Sequence, residues 1–318
     1  TKISEIQLEN IKQILTLRYS TNLEILTPKL TVNDYQEKQI PSSEIKIEES
    51  IRKTISQNID SSSKNVGVAL SSGIDSTLIL ALLREEFPSI EIESISVRFS
   101  ESTDETNASK KISDYFHTNH HVLEIDNFLE ELPKAISIVK QPFWDLHWYY
   151  LVKKMKELTN VFFSGDGGDE LFGGYVFRYK KFLELINENS TKKEKIISYL
   201  RCHERDWIPD QEIIFGQNCK FSWDEIYKII EPFFDNDLSN LTQVFLADFN
   251  GKLLHNMQPL YNSIHREFNI KNVSPILNKQ LIQLSCKIST ESKFNSDNNV
   301  GKVPLRKILE KYDITHLL

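Results

Sequence analysis

One stretch limits the fold more than any other: a buried strand pattern that runs without a gap into a hydroxyl-rich turn and then an apolar helix. Val66 to Leu70 (VGVAL) is a short continuous apolar run, as expected of a strand covered on both faces. Ser71 to Ser76 (SSGIDS) follows at once, and Ser76 to Phe87 reads as an apolar helix stopped by Pro88. The alternation then continues. Ile95, Val97 and Phe99 mark a strand by period two, Ala108, Ile112 and Phe116 a helix, and His121 to Ile125 another strand. Helical stretches near Phe128 to Val139 and Leu146 to Leu158 precede a strand at Val161 to Phe163. Strands separated by helical patterns predict an α/β fold with a mostly parallel sheet covered on both faces.

On either side the pattern changes. Ile47, Ile51, Ile55 and Ile59 recur every fourth position, one stripe of an amphipathic helix. Before them, short apolar pieces (ILTL, LEIL, KLTV) between turn-like breaks predict a small extended or β-rich lead segment over residues 1–45. Beyond Tyr175 the patterns are almost all helical, notably Leu238 to Met257. The expected division is a short segment, 1–45, and one α/β unit, 46–318, with a mostly helical C-terminal half.

Composition excludes several classes. With 40% apolar and 26% charged residues over 318 positions, the chain can build a core and is not disordered throughout. No apolar run approaches the roughly 18 residues of a membrane span, and Thr1 to Asn10 has none of the features of a signal peptide. Cys202, Cys219 and Cys286 are too few and too scattered for a disulfide framework or zinc ribbon, which predicts a reducing, cytoplasmic setting. A net charge of −7 removes the usual electrostatic reason to expect broad nucleic-acid binding.

Glycine is scarce, 10 residues where an average chain of this length has about 22. Six of them, Gly73, Gly165, Gly167, Gly168, Gly173 and Gly174, fall in two short motifs. The first is SSGIDS, whose backbone N–H groups and hydroxyls converge in front of a helix N-terminus, a natural phosphate site. Asp75 beside a phosphate requires a cation between them, so it is assigned to Mg²⁺. The Walker pattern GxxxxGK[ST] is absent, and read alone the turn is also a capped helix start. The second motif is Ser164 to Tyr175 (SGDGGDELFGGY), directly after the VFF strand. Its three carboxylates would repel one another unless a cation sat among them. Both motifs follow strands, which places both on the edge where parallel sheets bind ligands.

These residues carry a resemblance. SSGIDS resembles the SGGxDS pyrophosphate loop of the PP-loop ATP pyrophosphatases, the adenine-nucleotide α-hydrolase type of sheet. SGDGGDELFGGY is similar, almost letter for letter, to the second signature of the asparagine synthetase B family in its C-terminal synthetase domain. Asp104-Glu105 with Ala108, His120-His121, Gln141-Pro142-Phe143 with Asp145, and Gly301-Lys302 with Leu305-Arg306 match in order, and the likeness spans roughly Ile45 to Tyr312. It implies that ATP adenylates a carboxylate, releasing pyrophosphate, and that ammonia or another amine displaces AMP. Ser71, Ser72, Gly73, Asp75 and Ser76 are then the pyrophosphate loop, and Leu70, Val97, Ser164 and Gly165 line the adenosine. Asp75 and Asp169 ligate Mg²⁺, Lys302 stabilises adenylation, and Asp166 orients or deprotonates the amine.

The chain also departs from the family. Ser72 replaces a glycine. The family's glutaminase domain begins with a catalytic cysteine, whereas no cysteine precedes Cys202, and some 45 residues cannot contain that domain. LTLRYS and TVNDY resemble its tail end, so the segment reads as a remnant; Thr1 as an N-terminal nucleophile lacks a domain around it. Nitrogen is then expected from free ammonia, a separate glutaminase subunit or another amine. In the acceptor stretch, Asn262-Ser263-Ile264-His265 and Lys271 to Asn278 depart from the family pattern, with Lys271 and Val273 replacing an acid and an arginine. Bulky Trp144, His147, Trp148 and Tyr149 stand where the family tends to carry small residues, which is either a changed pocket or plain core. Aspartate is the first acceptor expected. The alternatives are another carboxylate, as in cyclisation or RNA modification, or a nucleotide-binding subunit without catalysis. Cys202-His203 and His120-His121 offer weak metal signals, and Lys192, Lys193, Lys195, Arg201 and Arg205 form a basic face that reads first as solvated surface.

Overall fold

The structure, a computed structural model, describes residues 5–36, 40, 43–60, 62–99, 106–141, 146–203 and 210–317. Thr1, Asp104, Glu105, Pro142, Phe143, Trp144, Asp145 and Arg205, singled out above, lie outside the described residues. In chain order the elements begin with α1 (Glu5–Leu17), α2 (Ser43–Asn58), β1 (Asn65–Ala69), α3 (Ile74–Glu86), β2 (Glu91–Phe99), α4 (Thr106–Tyr115) and β3 (Asn119–Ile125). Next come α5 (Leu132–Val139), α6 (His147–Lys156), β4 (Val161–Phe163), α7 (Gly168–Phe172), α8 (Val176–Leu185), α9 (Lys192–Arg201), α10 (Gln211–Cys219) and α11 (Trp223–Phe234). The chain closes with α12 (Asn240–Asp248), a wide-turned π-helical stretch (Phe249–Met257), α13 (Gln258–Glu267), β5 (Lys271–Val273), α14 (Lys279–Ser285), α15 (Thr290–Lys293) and α16 (Val303–Glu310).

The five strands form one parallel sheet in the order β3-β2-β1-β4-β5. Helices cover both faces, as the alternating pattern requires. One layer buries the predicted Ile47, Ile51 and Ile55 stripe of α2 with Leu78 and Leu82 of α3 and Leu305 and Ile308 of α16. The opposite layer packs Trp148, Val152 and Met155 of α6 with Leu260 and Ile264 of α13. A third cluster, built on α8, α9, α11 and α12, is the core of the helical half. No helix among the described residues is long and apolar enough to cross a membrane.

One expectation needs correction. The lead segment is not β-rich, because its first regular element is the helix α1. The ILTL piece that resembles a strand belongs to a longer run in which Leu8, Ile11, Ile14 and Leu17 recur every third position, close to a helical period. The segment is tied to the helical half: Asn250 Oδ1 accepts from Leu30 N at 2.9 Å, and Asn256 Nδ2 donates to Arg18 O at 2.6 Å. Past Tyr175 a short strand also occurs, since β5 pairs Lys271, Asn272 and Val273 with Val161, Phe162 and Phe163.

Candidate active site

β1 and β4 lie side by side, with Gly67 opposite Phe162 and Val68 opposite Phe163. From β1 the chain proceeds to β2 and β3 on one side, while β5 extends the sheet beyond β4 on the other. That reversal is the switch point at which open parallel sheets form a crevice beyond their strand ends. SSGIDS leaves β1 there and SGDGGDE leaves β4 there, so two motifs about ninety residues apart in sequence meet. A cavity of about 320 Å³ opens between them. Leu70, Ser71, Asp75, Ser76, Val97, Ser164, Gly165, Asp166 and Asp169 line it, together with Glu170, Tyr175 and Met257.

Ser71 and Ser76 shape the first loop. Their hydroxyls lie 3.0 Å apart, and Ser71 Oγ accepts from Gly73 N at 3.1 Å. Gly73, the residue before α3, provides no side-chain cap, which leaves the first-turn N–H groups of the helix free to meet an anion. Ser72 and Gly73 belong to this turn without lining the cavity. The second loop presses against the first: a Cβ on Gly165 would stand 2.7 Å from Asp75 Cβ, and one on Gly168 would fall inside the Asp75 carboxylate. Gly167, at φ 92°, makes the left-handed turn that starts α7.

The chain also brings in a third segment. Lys302 N donates to Phe172 O at 2.9 Å, and a Cβ on Gly301 would collide with Gly173 O. Gly301 therefore lets this turn dock on the end of α7. Lys302 itself adopts φ 56°, a left-handed conformation costing a lysine about 1–2 kcal/mol. Its Nζ lies 2.5 Å from Asp75 Oδ2 and 2.8 Å from Asp169 Oδ1. Burial disfavours the ammonium, and the two carboxylates outweigh that effect, so its pKa is raised.

Burial pushes the Asp75 carboxyl up, Lys302 pulls it back, and Asp169 and Asp166 push it up again. Asp75 Oδ1 is buried and accepts no hydrogen bond from the protein. Two carboxylates sharing one ammonium leave the cluster short of positive charge, and the orphaned oxygen is where a cation would relieve it. No group of three or more His, Cys, Asp or Glu able to hold a metal occurs among the described residues. Magnesium does not require one, since it is commonly bound by one or two carboxylates plus substrate phosphates. Asp75 and Asp169 fit that donor set.

Asp166 is held by Ser164, whose Oγ donates to Asp166 Oδ2 at 2.8 Å, and Ser164 Oγ is 3.0 Å from Ser274 Oγ. Burial lifts its pKa to about 6, the hydroxyls of Ser164 and Ser274 restrain the rise, and Asp169 adds to it. Asp166 also lines a second cavity, of about 200 Å³, with Met257 as the other shared residue. The π-helical stretch and α13 supply Leu253, Gln258, Tyr261 and Asn262 to that cavity, and the β5 region supplies Asn272, Ser274 and Leu277.

The departures in the acceptor stretch divide between site and core. Lys271 and Val273 line neither cavity. Val273 is buried in the main core, and Lys271 Nζ reaches Asn58 O at 3.4 Å. Strand alternation turns Asn272, between them, to the second cavity. Sequence reasoning missed Asn272, because a strand of three residues, 271–273, is too short to show a period of two. His147 and Trp148 do line the first cavity, whereas Tyr149 is core and donates its hydroxyl to Glu131 at 2.6 Å. Trp148 stacks on Tyr261 at 4.5 Å and donates to His265 Nε2 at 3.2 Å. Burial lowers His265 to about 4, so its ring is neutral and accepts.

The weak signals resolve toward local structure. Ser94 and Ser96 hydroxyls flank His120 at 2.9 and 3.1 Å, and burial lowers its pKa to about 4. His121 pairs with Glu93 at 2.6 Å. Lys192 meets Glu231 and Asp235 and Lys193 meets Asp224, so these two charges of that face are paired, while Lys195 Nζ donates to the neutral Gln243 at 3.3 Å.

Comparison with known proteins agrees with the loops. The family model described as asparagine synthase matches residues 46–314, most of the chain. The chain belongs to the asparagine synthase family. Asparagine synthetase (glutamine-hydrolyzing) 1 of Bacillus subtilis is 25% identical over 322 aligned positions, covering 88% of this chain and 50% of that protein. A Methanocaldococcus jannaschii protein named "Putative asparagine synthetase (glutamine-hydrolyzing) 2" is 37% identical over 116 positions, 35% of this chain and 22% of its own. The chain thus spans about half or less of the length of these family members. Among solved structures, an NMN synthetase from Francisella tularensis overlaps at a TM-score of 0.34 and 16% identity, covering 65% of this chain and 92% of its own. Membership in the family therefore rests on the sequence match.

Proposed function

We propose that this chain is an ATP- and Mg²⁺-dependent carbon–nitrogen ligase that activates a carboxylate as an acyl-adenylate and transfers it to an amine. The observation that carries the reading is the meeting of Asp75, Asp169 and Lys302 at the switch point between β1 and β4. A carboxylate oxygen of the substrate attacks the α-phosphorus of ATP, and the bond to pyrophosphate breaks. Ser71, Ser72, Gly73 and Ser76 form the turn that receives the leaving pyrophosphate. Leu70, Val97, Ser164 and Gly165 border the nucleoside. Mg²⁺ held by Asp75 and Asp169 would screen the phosphate charge. Lys302 places its ammonium where charge accumulates in the transition state. The amine nitrogen then attacks the acyl carbon, AMP departs with the oxygen, and Asp166 takes the proton.

Aspartate with ammonia, either free or released by a separate glutaminase subunit, is the first specific pair, giving asparagine. One observation favours a second acceptor within the same chemistry: no Lys or Arg is among the described residues lining either cavity, and the nearby Lys302 ammonium is already shared by Asp75 and Asp169. A dicarboxylate amino acid would meet few fixed positive charges there, so another carboxylate, as in cyclisation or RNA modification, fits the acceptor side as well. A screen of aspartate, glutamate and other carboxylates for ATP-dependent release of AMP and pyrophosphate tests the reading, and ADP as the product would sink it. Asp166 works as a base only when ionised, and with a pKa near 6 it is protonated below that pH. Amide formation should fall about tenfold per unit below pH 6 as that carboxylate protonates. A rate that stays flat down to pH 5 would remove Asp166 from the step.

A further inference from the structure

The second cavity has a chemistry opposite to that of a carboxylate site. Gln258 Oε1 and Asn272 Oδ1 are buried and accept no hydrogen bond from the protein. Asn262 uses its amide nitrogen on Gln258 O at 2.9 Å, which leaves its own carbonyl oxygen for a ligand. Asp166 adds a carboxylate at the wall shared with the nucleotide cavity. The residues lining this cavity thus bring three amide oxygens and one carboxylate as acceptors, with no cationic side chain among the described lining. Leaving such oxygens unpaired is costly, so the missing partner is a group rich in N–H donors.

Size narrows the partner. A water-sized molecule needs only about 10–15 Å³ of such space, whereas this cavity offers about 200 Å³. Leu253, Leu277 and the Tyr261 ring supply apolar wall beside the acceptors. That combination suits a hydrocarbon body carrying an ammonium head and exceeds what ammonia alone would fill.

We propose that the second cavity is the site of the nitrogen nucleophile, and that this nucleophile is an organic primary amine bound through its ammonium group by Gln258, Asn262, Asn272 and Asp166. The inference rests on the acyl-adenylate reading for its chemical purpose. The ammonium gives one proton to Asp166, the free amine attacks the acyl carbon across the shared wall, the carbon–oxygen bond to AMP breaks, and the second nitrogen proton leaves with the AMP phosphate.

Calorimetric titration of the whole chain with butylammonium chloride, sodium butyrate and 1-butanol tests it, with a parallel titration of ATP and Mg²⁺. Butylammonium should bind at least tenfold more tightly than either isostere. Asn272→Leu and Gln258→Leu should each weaken it about tenfold while the ATP titration stays unchanged, which separates loss of the site from loss of the fold. Butyrate binding as tightly as butylammonium, or ATP binding with no response to butylammonium, would overturn the inference and leave the ligase reading standing. Binding of butylammonium by a chain that binds no ATP would keep the amine site and sink that reading.

Discussion

Replacing Lys302 by methionine should lower carboxylate-dependent pyrophosphate release by about 10²–10³-fold, the usual cost of removing one preorganised group from a charged transition state. The side chain has roughly the same length and keeps its packing, so the change isolates the charge. The loss has two sources. The ammonium no longer meets the phosphate charge that develops as the α-phosphorus is attacked, and Asp75 and Asp169 lose the cation that lies 2.5 and 2.8 Å from them. Removing one partner of a buried ion pair costs about 3–5 kcal/mol. The lower end applies here, because the Asp169 side chain is 36% exposed. The variant without nucleotide should therefore melt earlier, and Mg²⁺ should recover more of its melting temperature than it adds to the parent. Turnover within threefold of the parent would exclude Lys302 from the adenylation step.

Asp75→Asn should be comparably damaging, on the order of 10²–10³-fold, because a metal ion contributes several kcal/mol of charge stabilisation and loses an anionic ligand. The substitution is nearly isosteric, which matters where a Cβ on Gly168 would already overlap the Asp75 carboxylate. Burial pushes the Asp75 carboxyl toward its neutral form and Asp169 still faces the Lys302 ammonium, so the neutral amide should cost less stability than the loss of Lys302. The expected pattern is a folded chain whose rate no longer rises with Mg²⁺ over the parent's range. A near-normal rate with unchanged Mg²⁺ dependence would refute Asp75 as a metal ligand.

Much of this arrangement is readable in the sequence because the physics behind it is local. A buried strand feeding SSGIDS, and another feeding SGDGGDE, imply two loops on one sheet edge before any coordinates are seen. Asp75, Ser164, Gly165, Asp166 and Asp169 all line the cavity that results. What was not readable depends on long-range packing. That Lys302 bridges Asp75 and Asp169 follows from the docking of Gly301 on Gly173, which no periodicity encodes. The opposite directions of Asn272 and its neighbours Lys271 and Val273 need β5, a strand of three residues beside β4, too short to leave a pattern. The helix α1 was misread because its apolar residues form short clusters that mimic strands. Trp148 belongs at once to the wall of the first cavity and to the packed core, so the choice between pocket and core had no single answer.

Bonding of the carboxylate to the α-phosphorus of ATP leaves a trace in the products. Its most direct test uses a carboxylate found active by pyrophosphate release, labelled with ¹⁸O in the carboxyl group, with the nucleotide product analysed by mass spectrometry after reaction with an amine. AMP should carry one ¹⁸O and form in step with unlabelled pyrophosphate. Unlabelled AMP, or ADP with the label in inorganic phosphate, would contradict it.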